Sequence, residues 1–296
     1  MERKFTRVAV LKGGISSERE ISLRSGAAIA QGLRDGGYDV LEIDIQTKEF
    51  KIPDGTEAVF VALHGRFGED GEIQQMLVEQ GMPFTGSGVE SCRVSFDKVL
   101  TRACLEAHGI PVPKGEVLKT SKDRTLSVPL VVKPPREGSS VGCHLVFEES
   151  QWEPAFADAS HYSDDILVEE YIPGRELTVG VVNGQVLPVV EIKTATEWYD
   201  YDAKYVTGDT QYIVPAELDD SLARALQSIA LNTFQCLEAE GFGRVDFRLS
   251  PENKPYVLEL NAIPGFTETS LLPKAAQSAG IGFSDLCCRI MERAQL

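Results

Sequence analysis

The sequence lacks a run of about 18 apolar residues, the length that a membrane-spanning helix needs. Its first residues, MERKFTRVAVLKGG, are basic, but the apolar part is only as long as one β-strand and is too short for a secretory signal. We therefore expect a protein that makes no contact with a membrane and acts in the cytoplasm.

Cysteine and histidine are sparse, and neither is spaced like a metal-binding motif. The six cysteines form no C-x-x-C pair, and the adjacent Cys287 and Cys288 fit neither a disulfide framework nor a zinc site. We expect reduced thiols that pack as small apolar side chains. The four histidines are scattered, which argues against a histidine-based metal site.

Positively charged residues are outnumbered by negatively charged ones. The sequence has 29 Lys and Arg residues and 45 Asp and Glu residues, which gives a net charge of −16. Nucleic-acid binding needs clustered Lys and Arg, so this balance argues against it. A phosphate ligand is still compatible, since a few placed cations and backbone N–H groups can hold one. The 296 residues allow two or three domains with the composition of a soluble enzyme.

The first third of the chain alternates between strands and helices. Strands are predicted over residues 7–14, 39–45 and 57–65, and helices over residues 16–37 and 71–82. Ser17 and Glu20 have capping-box spacing at the start of the first helix. This order predicts a parallel sheet with ligands beyond the carboxyl ends of its strands. One further helix is predicted over residues 95–108, and the composition changes near residue 90.

The middle of the chain is rich in strands. Asn183-Gly184 lies between two β-prone runs and predicts a hairpin. The polar, Tyr-rich segment 194–212 has no periodicity, and its length is typical of a functional loop. An amphipathic helix is predicted after it, from Ser221 to Gly241.

The last two predicted strands, RVDFRL and YVLELN, carry polar residues that suit a metal ion. Strand alternation places Asp246 on the polar face of one strand and Glu259 with Asn261 on that of the other. The turn SPENK between them predicts that the strands pair. Two carboxylates and an amide oxygen are hard ligands suited to Mg²⁺. An ordinary solvated face is the alternative, but the Gly/Pro-rich NAIPG loop that follows favours a metal site.

Four cations and one Gly/Ser-rich stretch are candidates for binding an anion. Lys133 ends an apolar run, where a buried charge needs an anionic partner. The stretch REGSSVG (Arg136–Gly142) follows it, but no Lys comes after its glycines, so it is not a P-loop. Its backbone N–H groups could still cradle phosphate. The other cations are Lys98, Lys204 and Arg244.

Two weaker signals lie near this stretch. Glu169 and Glu170 end an apolar strand and could offer partners to an adenine and a ribose. Ser139 and Ser140 could serve as hydrolase nucleophiles, but the context is not G-x-S-x-G, so backbone donation fits better.

Several motifs, in order along nearly the whole chain, resemble the D-alanine–D-alanine ligases of the ATP-grasp superfamily. They are GGISSEREISLRSG, LHGRFGEDG, TGSGVESC, DKVLTR, KPPREGSSVG, EEYIPGRELTVGV, YDYDAKY, GRVDFRL and LELNAIPGFTETSLLP. The resemblance implies an α/β ATP-grasp fold of three domains, with ATP between two sheets. The expected domains are an N-terminal parallel-sheet domain (1–90), a small central domain (91–174) and a C-terminal mixed-sheet domain (175–296).

The resemblance also implies roles for particular residues. For ATP, the phosphates would be bound by Lys98, Lys133, Ser140 and Lys204, and the adenine and ribose by Glu169, Tyr171, Ile172 and Glu176. Two Mg²⁺ ions, or Mn²⁺ as a substitute, would be held by Asp246, Glu259 and Asn261. The first D-alanine would meet Glu18 and His64, the second Ser270 and Leu271, and the oxyanion Arg244 and the Gly265 backbone.

Ser139 would tie the flap that REGSSVG forms to Glu18 and to Tyr205 of a mobile loop. Arg102 stands where the family more usually has Lys.

The implied reaction is a two-step ligation through an acyl phosphate, by an enzyme that is a homodimer. D-lactate or D-serine as the second substrate is the alternative, and the YDYDAKY pattern favours D-alanine. A non-catalytic nucleotide-binding relative is a further alternative. The intact set of Lys133, Arg244, Asp246, Glu259 and Asn261 argues against that class.

Overall fold

The computed structural model describes residues 3–193 and 210–296. Three sheets lie in these ranges, and the predicted α/β class is confirmed. The first sheet is parallel, as predicted, and its strand order is β2-β1-β3. Its strands and the helices that follow them along the chain are β1 (Arg7–Gly13), α1 (Arg19–Asp35), β2 (Asp39–Ile45), β3 (Ala58–Val61) and α2 (Glu72–Glu79).

The expected capping box at the start of α1 is wrong. The helix begins at Arg19 with Glu18 as its N-cap, and no side chain caps it. The physical reason is that the helix begins two residues after Ser17, which puts Ser17 before the N-cap and Glu20 at the second helical position, where the two cannot form the box.

The single helix predicted over residues 95–108 is also wrong, because the chain breaks at Asp97. Helix α3 (Val89–Phe96) ends there, and α4 (Lys98–Ala107) begins. Asp97 is extended, and its carboxylate accepts from the backbone N–H groups of Val99 and Leu100. An aspartate satisfies the free donors of a helix start in this way. The break makes Lys98 the first residue of α4.

The middle of the chain forms a four-stranded antiparallel sheet, called the central sheet, in the order β4-β7-β5-β6. Helix α5 packs on it through Trp152 and Phe156, which lie in the same apolar cluster as the strands. The elements are β4 (Gly115–Leu118), β5 (Leu130–Lys133), β6 (His144–Val146), α5 (Trp152–Ala159) and β7 (Ile166–Glu170).

The third sheet has the order β11-β10-β8-β12-β13, with β9 paired to β8. The Asn183-Gly184 hairpin is confirmed, since both residues have positive φ and Val182 pairs with Gln185. The strands are β8 (Arg175–Val182), β9 (Gln185–Val186), β10 (Val190–Lys193), β11 (Gln211–Ile213), β12 (Phe242–Leu249) and β13 (Pro255–Asn261). Helix α6 (Asp220–Cys236) and helix α4 both contribute to the core beneath this sheet.

The last two helices return to the N-terminal sheet. Helices α7 (Leu271–Ser278) and α8 (Phe283–Met291) share one apolar core with β1, β3 and α1. The chain ends therefore pack together, and Phe84 exchanges two backbone hydrogen bonds with Gln295. The domain boundaries expected from the sequence stay a prediction.

Candidate active site

One cavity of about 480 Å³ collects most of the predicted site residues. Glu169, Tyr171 and Ile172 do not line it, and Lys204 and Tyr205 lie outside the described residues. The predicted residues along its wall are Glu18, His64, Lys98, Lys133, Ser139, Ser140, Glu176, Arg244, Asp246, Glu259, Asn261, Gly265, Ser270 and Leu271.

The predicted pairing of the last two strands is confirmed and sets the chemistry of the cavity wall. Asp246 stands directly opposite Glu259, and Arg244 opposite Asn261, on antiparallel β12 and β13. Opposite residues of an antiparallel pair share one face of the sheet. The intervening Val245 is fully buried on the other face. Strand alternation thus turns four polar side chains toward the cavity and the apolar ones into the core.

The oxygens of this face are already hydrogen-bonded. The Asp246 carboxylate accepts two bonds of 2.8 Å from Arg244 and one of 2.8 Å from the Asn261 amide. Glu259 lies 3.1 Å from the Lys98 ammonium. Two carboxylates and an amide oxygen fit a hard divalent cation such as Mg²⁺. In the structure, the positive charges of Arg244 and Lys98 balance the negative charges of Asp246 and Glu259.

Lys133 ends β5, is only 8% exposed, and lies 2.6 Å from the carboxylate of Glu169. Burial alone would lower the pKa of Lys133, but the Glu169 charge outweighs it, and the pKa lies above its usual value. Lys133 therefore stays charged, with its side chain at the cavity wall. An anion at this wall would meet a cation that a buried carboxylate already orients.

Glu169 has a place that the sequence did not indicate. It is 4% exposed, and its two oxygens bind Lys133 at 2.6 Å and Arg102 at 3.1 Å. Arg102 reaches this carboxylate from α4, so the Arg at this position serves a buried ion-pair network. The buried Glu169 carboxylate thus holds the Lys133 ammonium in place.

Tyr171, Ile172 and Glu176 are joined through Arg248, a residue that the sequence reasoning missed. The Arg248 guanidinium donates to the Ile172 carbonyl at 3.0 Å, lies 3.4 Å from both the Tyr171 hydroxyl and Glu176, and is 7% exposed. Its position in RVDFRL, two residues after Asp246 on the polar face, was the available signal. Arg248 fixes the segment after β7 against β12.

The REGSSVG stretch is a tight turn at the cavity wall. Ser139 and Ser140 both have positive φ, at 50° and 62°, which L-residues adopt only when the surroundings hold them there. Ser139 donates a short hydrogen bond to Glu18, which confirms the contact predicted for this pair. Lys98 also donates to the Glu137 carbonyl at 2.9 Å. Contacts from two sides thus hold this loop.

His64 is enclosed, and both of its ring nitrogens are engaged. Nδ1 lies 2.9 Å from the Ile263 carbonyl and therefore donates, while Nε2 lies 3.1 Å from the Ser25 hydroxyl. Burial lowers the pKa of His64, against the opposing charge of Glu18. A neutral ring held at both nitrogens is suited to fixing the position of the 262–267 loop.

The loop after β13 brings Gly265, Ser270 and Leu271 to the cavity. The Ser270 hydroxyl accepts from the Thr267 backbone at 2.9 Å. A Cβ added to Gly265 would meet only that hydroxyl, at 3.8 Å. The protein itself leaves room for a side chain there, so the space above Gly265 is available to a ligand.

Glu69 is a second cavity residue that the sequence reasoning did not single out. Burial and the nearby Glu18 charge raise its pKa to about 8, and it accepts from the Gly65 backbone at 2.6 Å. The available signal was its place in LHGRFGEDG beyond the end of β3. Because a carboxyl that keeps its proton is neutral, this end of the cavity carries less negative charge near neutral pH than its carboxyl groups would suggest.

Within the described ranges, no helix has the length and apolar character needed to cross a membrane. The six cysteines are free thiols, as expected.

Known proteins resemble this chain over most of its length. The family model described as "D-ala D-ala ligase C-terminus" matches residues 103–292. The D-alanine–D-alanine ligase of Methylacidiphilum infernorum (isolate V4) is 44% identical over 289 residues, covering 98% of this chain and 95% of the relative.

Two solved structures have the same fold along nearly the whole chain. The D-alanine–D-alanine ligase of Bacillus anthracis complexed with ATP is 30% identical, with a TM-score of 0.83, covering 97% of this chain and 96% of that one. The VanG D-Ala:D-Ser ligase of Enterococcus faecalis is 27% identical, with a TM-score of 0.86, covering 97% and 98%. The predicted ATP-grasp fold is confirmed, and this chain belongs to the D-alanine–D-alanine ligase family.

Proposed function

We propose that this protein joins two D-alanine molecules at the expense of ATP, giving D-alanyl-D-alanine, ADP and phosphate for peptidoglycan precursor synthesis. The observation that carries the proposal is one cavity with a distinct group for each reactant. Lys98 and Lys133 supply cations for phosphate, Asp246, Glu259 and Asn261 supply metal ligands, and Glu18 supplies a carboxylate for an ammonium group.

In the first step, a carboxylate oxygen of the first D-alanine attacks the γ-phosphorus of ATP, and the bond to the β-phosphate oxygen breaks. Lys98 and Lys133 offset charge on the phosphates, and Glu18 orients the substrate ammonium. The metal ligands would hold two Mg²⁺ ions, or Mn²⁺ as substitutes, which offset phosphate charge when bound. Ser140 would contact the phosphates, and Glu176 with Tyr171 and Ile172 the nucleoside.

In the second step, the amine of the second D-alanine attacks the acyl carbon, the new C–N bond forms, and phosphate leaves as the amine loses a proton. Arg244 and the Gly265 N–H would stabilise the oxyanion, and the Ser270 hydroxyl would bind the second carboxylate next to Leu271. The acyl phosphate is prone to hydrolysis, so excluding water from the cavity has a physical reason. Lys204 and Tyr205 would close over it.

A coupled phosphate-release assay with D-alanine, D-serine and D-lactate, with the product identified by mass spectrometry, tests this proposal. We expect the fastest turnover with D-alanine alone, and an Asp246→Asn preparation controls for contaminating ATPase. Absence of phosphate release with every D-amino acid would overturn the ligase proposal. Faster turnover with D-lactate or D-serine would overturn only the identity of the second substrate, an alternative that the likeness to a D-Ala:D-Ser ligase makes worth measuring.

We further propose that the enzyme is a homodimer in the cytoplasm, where ATP is available. Light scattering coupled to size-exclusion chromatography tests the dimer, and a monomer mass across the working concentration range would contradict it.

A further inference from the structure

Two cysteines and one histidine meet on the protein surface away from the cavity. Cys104 lies near the end of α4, His108 caps that helix, and Cys236 is the last residue of α6. One ligand atom from each residue lies within 4.8 Å of the other two. Among the described residues, no other group of three His, Cys, Asp or Glu side chains meets in this way. We call it the Cys104–His108–Cys236 cluster.

The distances are close to those of a tetrahedral zinc site. The Cys104 sulfur lies 3.9 Å from Nδ1 of His108. Zn–S bonds of about 2.3 Å and Zn–N bonds of about 2.0 Å at tetrahedral angles put sulfur and nitrogen about 3.6 Å apart. The three ligand atoms lie within 4.8 Å of one another, so side-chain movements would have to bring them closer; His108 is exposed and the two cysteines are half-buried.

The surroundings also favour a soft cation. All three residues lie at the C-terminal ends of helices, where the helix dipole favours positive charge. Nδ1 of His108 donates to the Cys104 carbonyl at 2.8 Å, so binding of Zn²⁺ through this nitrogen would replace that hydrogen bond and leave the ring proton on Nε2. Thiolate and imidazole ligands select Zn²⁺ over Mg²⁺.

We propose that the Cys104–His108–Cys236 cluster binds one Zn²⁺ ion, with water as the fourth ligand, and so links helix α4 to helix α6. In the structure both thiols donate to backbone carbonyls. Cys104 donates to the Cys236 carbonyl, and Cys236 donates to the Thr233 carbonyl. Both thiols would lose their protons on binding, so affinity rises with pH. Lys98, at the wall of the cavity, begins the same helix α4.

Calorimetric titration of the reduced, chelator-treated full chain with Zn²⁺, in excess Mg²⁺ to occupy the hard-oxygen site, tests the proposal. We expect one equivalent bound, and a loss of affinity of roughly tenfold or more in Cys104→Ser, Cys236→Ser and His108→Gln. The matched controls Cys288→Ser and His161→Gln replace a half-buried thiol and an exposed imidazole elsewhere, and should bind as the parent protein does.

Two further measurements keep the proposal falsifiable. Co²⁺ in place of Zn²⁺ should give a thiolate charge-transfer band that both cysteine variants lose, and Zn²⁺ should raise the thermal midpoint only where the cluster is intact. His108→Gln replaces an exposed side chain, so it still tests zinc binding if a cysteine variant fails to fold. Binding that survives all three substitutions, or a Cys104–Cys236 disulfide in air without zinc binding under reduction, would overturn the proposal.

Discussion

The Ser139 hydroxyl donates a hydrogen bond to the carboxylate of Glu18, across 121 residues of sequence. Ser139 belongs to the turn that follows β5 of the central sheet, and Glu18 is the N-cap of α1 beside the first sheet. A Cβ on the neighbouring Gly138 would lie 2.9 Å from the same carboxylate. The turn and the start of α1 are therefore in close contact at the wall of the cavity.

Replacing Ser139 by Ala should lower kcat with little change in the KM for ATP. The substitution removes a hydrogen bond to a charged group, worth about 1.5–3 kcal/mol, and so costs roughly 10–100-fold in turnover. Steady-state kinetics check this, with Ser150→Ala, an exposed serine of the same part of the chain, as the control. Kinetics identical to those of the parent enzyme would refute a role for the Ser139–Glu18 contact in turnover. Adding Glu18→Gln to the Ser139→Ala enzyme should cost less than the sum of the single effects.

Asp246→Asn and Glu259→Gln should each raise the Mg²⁺ concentration needed for half-maximal rate and lower kcat. The two carboxylates face each other across β12 and β13, and each change removes one charged ligand. Changes outside the ligand shell already cost 10–100-fold in metal affinity in other enzymes, so roughly tenfold or more is expected. Mg²⁺ titrations at saturating ATP and D-alanine measure this. Glu252→Gln, in the turn between the strands, should be normal, and normal dependence in both site variants would contradict the metal assignment.

Glu169→Gln should destabilise the protein by about 3 kcal/mol. The change leaves Lys133 and Arg102 without the carboxylate between them, and removing one partner of a buried ion pair is costly. Urea unfolding of the nucleotide-free protein gives the value. Glu170→Gln is the matched control, because its half-buried side chain accepts from the Lys114 backbone rather than from a buried cation, and it should cost under about 1 kcal/mol. Equal losses in the two variants would refute the network.

Glu69→Gln should become more stable relative to the parent protein as the pH rises from 5 to 8. The pKa of Glu69 is raised from 4.5 to about 8, so the folded state keeps a proton that the unfolded state loses. The stabilisation that this proton provides is complete below pH 4.5 and lost as the pH rises toward 8. The relative gain should be about 1 kcal/mol or more.

Thermal unfolding of the unliganded protein at pH 5 and pH 8 measures the gain for Glu69→Gln. The control is Glu79→Gln, an exposed carboxyl at the end of α2, which should show none. A pH-independent difference between Glu69→Gln and the parent would show that Glu69 is ionised throughout.

Local sequence was enough for the strands of the site and their pairing. Alternation in RVDFRL and YVLELN, with a turn between them, predicts a strand pair with one polar face, and the structure has Asp246 opposite Glu259. The same kind of reasoning failed at Asp97, where it predicted one unbroken helix and the structure has two. A helical pattern runs through Asp97 unless its capping is recognised, and the capping decides that Lys98 begins α4.

The sequence by itself determined the α/β class and the family and predicted residues for the site, because periodicity and motif order are properties of adjacent residues. Only the tertiary structure decided which distant charges meet. Glu169, which was expected at a nucleoside pocket, joins Lys133 to Arg102, and Glu69 is a half-buried carboxyl whose neighbour Glu18 lies 51 positions away in sequence. Cys104, His108 and Cys236 looked unrelated for the same physical reason. Burial and distance between remote segments follow from packing, which no local pattern encodes.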